Sequence, residues 1–394
     1  MRNLKFFGGL FLVIIAIVGT VYLLNRPVFE TVYYNREAMA EGSEWVEKTY
    51  SLAGLVEYIE ANPEYVSVTS LNLLYPEQSI HYGDEQMRTL GATGHIVLVG
   101  AWMEARQEGI FPEDSTIALK DIEKYHLPNV SESAHRSAMS ELEKFADNGT
   151  VLLEDVVKVM VEYVHLPSAD FLYDLLGYDR IASFTERYFE DELETPLPWI
   201  GFYILAQPML HGGETEEIIA DLRGISSDSL QTKTLDRFDE YLHDESYRNQ
   251  VNQSFSGDGH NLNFTEQRAL YNSMPKGTTH SLARFAASVL ESEFISEEVS
   301  RQLYDYLSWP LKEQSTDRHF ERYGGLYENR MSLLGGIDMG ESHYTGERYA
   351  QAILFDEMPI GLWMHMSSNF MNQDYQKRLM YDPELIRRST AALQ

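Results

Sequence analysis

The chain has 394 residues, 44% of them hydrophobic, enough for one large domain or two ordinary ones with a sizeable core. It has no cysteine, which excludes disulfides, thiol catalysis and thiolate metal sites. With 61 acidic against 31 basic residues its formal charge is −30. That disfavours a nucleic-acid partner or adhesion to anionic lipid headgroups, since both need a basic surface; a solvated acidic surface accounts for it.

Residues 6–24 are uncharged and almost wholly apolar, about the length that crosses a bilayer core. Arg2 and Lys5 precede them, so the N-terminus is expected to stay cytoplasmic and the rest to be exported. Val21 to Asn25 offers no small-residue cleavage site, which favours an uncleaved signal anchor over residues 1–26; a cleaved signal peptide is the competing reading. The expected location is a bacterial inner membrane, single-pass, with a periplasmic domain. Residues 27–48 look like a polar stalk, and one domain is expected over 49–394.

Leu52, Leu55, Val56 and Ile59 recur at helical spacing until Asn62-Pro63. A strand pair follows, Val66 to Leu74 and Ser79 to Tyr82. The loop Gly91-Ala92-Thr93-Gly94-His95 then opens a mostly apolar helix to Ala105, which must be buried. Amphipathic helices are expected over 133–145 and 152–163, and another from Pro167 to Leu176, stopped by Gly177.

Residues 190–265 read as a helical insertion, with an apolar, proline-bounded loop at Leu197 to Phe202 and two very acidic helices over 215–248. Trp199, Phe202 and Tyr203 could line a groove. A threonine-capped helix begins near Thr278, and another spans Ser296 to Leu307. Gly324-Gly325 and Gly335-Gly336 read as isolated turn signals. Two late strands, Tyr349 to Phe355 and Ile360 to Met366, and a tail helix over 374–392 close the chain. Strands at both ends with helices between predict an α+β domain whose antiparallel sheet is built from both termini, flanked by helices, with an all-α subdomain.

Two strands, then a glycine-punctuated loop feeding a buried helix, resemble the serine β-lactamase and penicillin-binding family. Its nucleophile motif, Ser-x-x-Lys, opens that helix. Leu152 to Gly177 and Pro275 to Leu290 carry the best of the resemblance, which covers roughly residues 50–392. The chemistry does not carry over. The serine position is Ala92 and the lysine position His95. The Ser-Asp-Asn triplet falls on Val164, His165 and Leu166. The Lys-Thr-Gly strand is best matched by Asp338-Met339-Gly340, with Tyr344-Thr345-Gly346 as the alternative register. Ser273-Met274-Pro275-Lys276 also spells Ser-x-x-Lys, but Pro275 and Gly277 make it a poor helix start, and its neighbours assign it elsewhere.

Acyl transfer needs a nucleophile activated by a base. Ala92 has no oxygen, and the nearest hydroxyls in sequence are Thr93 and Ser168. Asp338 reverses the charge at the expected anion clamp. The resemblance therefore implies a degenerate member, silent toward β-lactams, that binds a small molecule or protein at the cell envelope. The alternative is an amide or ester hydrolase rewired around Thr93, His95 or His165. No cofactor is implied. His95, His165 and Asp338 would be a permissible zinc set; the plainer reading has His165 bonding a loop backbone and His95 capping its helix.

Overall fold

The computed structural model describes residue 20 and residues 26–212, 215–257, 262–308 and 320–393. Apart from residue 20, the apolar segment 6–24 lies outside the described residues. Among the described residues no helix is long and apolar enough to cross a membrane.

The strands are β1 (Val66–Asn72), β2 (Ile80–Tyr82), β3 (Arg88–Thr89), β4 (Thr116–Ala118), β5 (Thr150–Leu152), β6 (Lys276–Gly277), β7 (Phe320–Arg330), β8 (Leu333–Ser342) and β9 (Arg348–Phe355). Five of them form one sheet in the order β2-β1-β9-β8-β7, antiparallel at every pairing. Val66 pairs with Phe355 and Asn72 with Tyr349, so the two ends of the chain share one sheet, as expected. With helices on both faces, this is the expected α+β arrangement.

Side chains alternate between the faces of a strand, and this sheet is buried on both. On one face Val66, Val68, Ile353 and Phe355 pack with Leu55, Tyr58 and Ile59 of the helix Leu52–Ala61 and with Tyr375, Leu379 and Leu393 of the last two helices. On the other face Leu326, Ile337, Met339, Ala352 and Leu354 meet the helical half of the molecule. Its centre is the helix His95–Gln107. Residues 95–105 are buried all round, because a helix without a polar face has no stable place at the surface. Thr278 accepts from Ser281 N and caps the helix Thr279–Leu290, as expected.

Residues 27–48 lie in three short helices and a turn against the body. Phe264 N donates to Asn35 Oδ1 at 2.7 Å, and Arg268 pairs with Glu41.

Several expected elements differ. Ile360–Ser368 is a helix, not a strand. Pro359 precedes it, and Gly361 approaches the carbonyls of Met39 and Glu41. Residues 371–393 form two helices, Met371–Arg378 and Pro383–Leu393, because Pro383 starts a new one. Trp199–Leu205 is a helix rather than a loop, and the rest of the insertion adds Pro208–His211, Thr215–Gly224, Ser227–His243 and Glu245–Ser256. The two glycine pairs lie inside β7 and β8 and not in turns.

Candidate functional site

The loop before the central helix is a 3-10 turn, Gly91–Gly94. Gly91 has φ +52, and a Cβ there would fall 2.0 Å from Glu328 Oε2, so the backbone conformation and the close approach both require glycine. Ala92 is fully buried, and its N–H donates to the Glu328 carboxylate. Thr93 is equally buried and gives its hydroxyl to the Leu90 carbonyl, so it does not turn toward the Ala92 position.

Glu328 and Arg330 stand two apart on β7, on one face of the sheet. Arg330 Nη1 lies 3.0 Å from both Glu328 oxygens, and both side chains are almost wholly buried. The carboxylate thus holds an arginine on one side and the Ala92 amide on the other. An amide bonded to an internal carboxylate in this way is not free for another acceptor.

Next to this pair the helix Trp199–Leu205 packs against Arg330 and His95. It begins with a tryptophan whose ring lies 4.3 Å under the Arg330 guanidinium. Its Nε1 donates to His95 Nε2 at 3.0 Å. Burial, followed by the charge on Arg330, pushes the His95 imidazolium down to about 3, so the ring is neutral at ordinary pH. His95 neither caps its helix nor faces solvent. The N-terminus of the helix Trp199–Leu205 is held by Asp170, whose two oxygens accept from Trp199 N and Ile200 N at 2.7 and 2.8 Å. The space left among Leu90, His95, Asp170, Leu197, Trp199 and Pro275 is about 20 Å³, room for about one water.

The expected triplet forms the turn into the helix Leu166–Leu176. Val164 has φ +50, an uncommon conformation for a β-branched residue, and Leu166 is buried. His165 is buried and bonds no loop backbone through its ring: Nδ1 lies 2.7 Å from Ser168 Oγ and Nε2 lies 2.9 Å from His135 Nδ1. Ser168 is fully buried, so this hydroxyl–imidazole pair has no exposed substrate position beside it.

Asp338 belongs elsewhere. A Cβ on Gly335 would point at Thr93 and one on Gly336 at Gln376, so even-numbered positions of β8 face the C-terminal helices and not the Ala92 turn. Asp338 is fully buried on that face, opposite Gln351 and Gly325, with Gly340 further along the strand. Burial pushes its carboxyl up to about 7, against the Tyr327 and Tyr323 hydroxyls, which hold it down. The strand beside Ala92 is β7, so its neighbours there are Glu328 and Arg330. His95, His165 and Asp338 therefore do not share one cleft as a metal set. Sequence reasoning missed Glu328, Arg330 and Asp170. A charged residue reads as exposed until its partner is known; the partners are Ala92 for Glu328 on its strand, and Trp199 and Ile200 for Asp170 on its helix.

A larger chamber, about 200 Å³, lies elsewhere in the helical half. Asn129, Ser131, Tyr203, Gln207, Gln267 and Tyr271 supply its polar groups, and among the described residues no charged side chain lines it. The Tyr203 and Tyr271 hydroxyls lie 3.0 Å apart and close its inner end near Arg330. Two groups of possible metal ligands occur among the described residues, His81 with Asp84 and His280, and Glu123 with His126 and His135.

No family model matches the chain, and no curated protein does. Solved structures similar to it include a β-lactamase from Sphaerobacter thermophilus, 13% identical over 83% of this chain and 98% of that one, at a TM-score of 0.46. The chromosome-encoded β-lactamase of Vibrio parahaemolyticus is 9% identical over 85% of this chain and 100% of that one, at 0.49. An acyl-enzyme complex of a PBP-A mutant with penicillin G is 11% identical over 85% and 97%, at 0.45.

Proposed function

We propose that this chain is a non-catalytic binding module of the cell envelope, carried at the membrane by residues 6–24. The observation that supports it best is the bond from Ala92 N–H to the Glu328 carboxylate, itself clamped by Arg330. At this position a hydrolase needs a hydroxyl, a base and a free amide. The chain supplies a methyl group, a neutral imidazole committed to Trp199, and an amide already taken. Binding falls to the outer chamber, whose amide, hydroxyl and aromatic groups, uncharged among the described residues, suit a small, neutral, polar ligand.

Treating the purified protein with a fluorescent penicillin and with a fluorophosphonate probe tests the inactive site. The expected result is no covalent label; an adduct at any serine or threonine overturns it. Calorimetric titration with uncharged sugars and amides, set against their anionic counterparts, tests the ligand class. Binding of the anionic set alone overturns that assignment.

A further inference from the structure

One wall of the chamber is the loop through Asn129, Val130 and Ser131, and it is bracketed by two histidines. His126 precedes it, and His135 sits in the first turn of the helix Glu132–Phe145. Their rings are stacked, with centroids 3.6 Å apart and planes 7° from parallel. Glu123 Oε2 lies 3.4 Å from His135 Nε2, and one ligand atom from each of Glu123, His126 and His135 falls within 4.8 Å of the others. His126 Nε2 is sealed from solvent and makes no hydrogen bond; it lies 3.5 Å from a Glu132 oxygen. Glu123 is half exposed and leaves the cluster open to solvent on its side.

Behind His135 runs a buried relay, His135 Nδ1 to His165 Nε2 at 2.9 Å and His165 Nδ1 to Ser168 Oγ at 2.7 Å. If His135 donates from Nδ1, then His165 donates from Nδ1 to Ser168, and the lone pair of His135 is left on Nε2, on the Glu123 side. A histidine whose second nitrogen is fixed in this way has the outer support that metal-ligating histidines have.

We propose that Glu123, His126 and His135 form a site for a divalent transition ion of zinc type, with His165 and Ser168 as positioning residues. Two imidazoles and a carboxylate are an accepted zinc set that leaves a fourth position for water. Parallel rings 3.6 Å apart cannot both hold one ion in their planes, so loading turns His126 out of the stack. That motion draws on residues 127–131 and couples the ion to the chamber wall. The site does not rest on the reading of Ala92 given above.

The test uses the metal-free full-length chain, titrated calorimetrically with zinc and followed by visible absorption with cobalt(II). One equivalent is expected, with a tetrahedral cobalt spectrum. His126→Asn and Glu123→Gln, both at partly exposed positions, should each weaken zinc by at least about tenfold. Ser168→Ala should keep the stoichiometry and weaken affinity by roughly 10- to 100-fold, as loss of outer support does. His81→Asn should change nothing. No binding, binding unchanged in both ligand variants, or loss only in His81→Asn overturns the proposal.

Discussion

Trp199 gives its indole N–H to His95 Nε2 at 3.0 Å, which fixes the proton of the imidazole on Nδ1. The same indole lies under Arg330, so one side chain separates the neutral ring from the buried cation. The three side chains are held together by a bonded contact and not by loose packing.

Trp199→Phe keeps most of the packing and deletes the donor. His95 Nε2 is then buried and unsatisfied, which costs roughly 1–3 kcal/mol. Urea unfolding should show that loss; an unchanged midpoint would mean that the indole bond is not formed.

Glu328→Gln leaves Arg330 buried without its counter-charge, and about 3–5 kcal/mol of stability should go. The double change Glu328→Leu with Arg330→Met removes both charges and should lose much less. Chemical denaturation of both variants makes the comparison.

Ala92→Ser places a hydroxyl on the loop before the central helix. The serine stays fully buried, its own amide is bonded to Glu328, and its neighbour three residues on is a neutral histidine and not a lysine. No acylation by the fluorescent penicillin is expected, read as the absence of a labelled band.

Two buried groups give opposite pH windows. His95 titrates near 3 when folded and near 6.5 when unfolded, so the unfolded state takes up more protons between these values and stability is lost as pH falls from 6.5 toward 3. Asp338 is raised from 3.8 to about 7, so its contribution is intact below 3.8 and lost as pH rises toward 7. Asp338→Asn should therefore gain on the parent as pH rises through that range, at up to about 1.4 kcal/mol per pH unit. Denaturant midpoints between pH 4 and 8 decide it; a pH-independent difference would contradict it.

Gly201 lies where a Cβ would meet the Thr234 carbonyl oxygen at 2.2 Å. Gly201→Ala must push the helix Trp199–Leu205 away from Ser227–His243. Limited proteolysis should then cut within residues 215–256 first, while the sheet stays protected.

The sequence disclosed most where local chemistry decided the outcome. An apolar stretch with no polar face marked the central helix, Thr278 marked a cap, and Gly177 marked a helix end. It disclosed little of the β7–β8 hairpin. Paired glycines there resemble turns, and Glu328 and Arg330 resemble surface residues, until the strands pair and bury them; Asp338, expected at the site, is turned to the other face of the sheet. The helix at Trp199 was hidden for a related reason: its N-terminus is held by Asp170, from a different part of the chain. That Ala92 is a buried position without a hydroxyl was legible. That its N–H bonds Glu328, which pairs with Arg330, was not.

The pairing of Val66 with Phe355 also governs when the molecule can form. During synthesis β1 has only the short β2 beside it until the last tenth of the chain emerges, and long-range closure of this kind is slow. A stalled or truncated chain therefore presents β1 as an open sheet edge, the surface on which such intermediates aggregate. Removing β9 and the residues after it should give an insoluble product rather than a smaller working module.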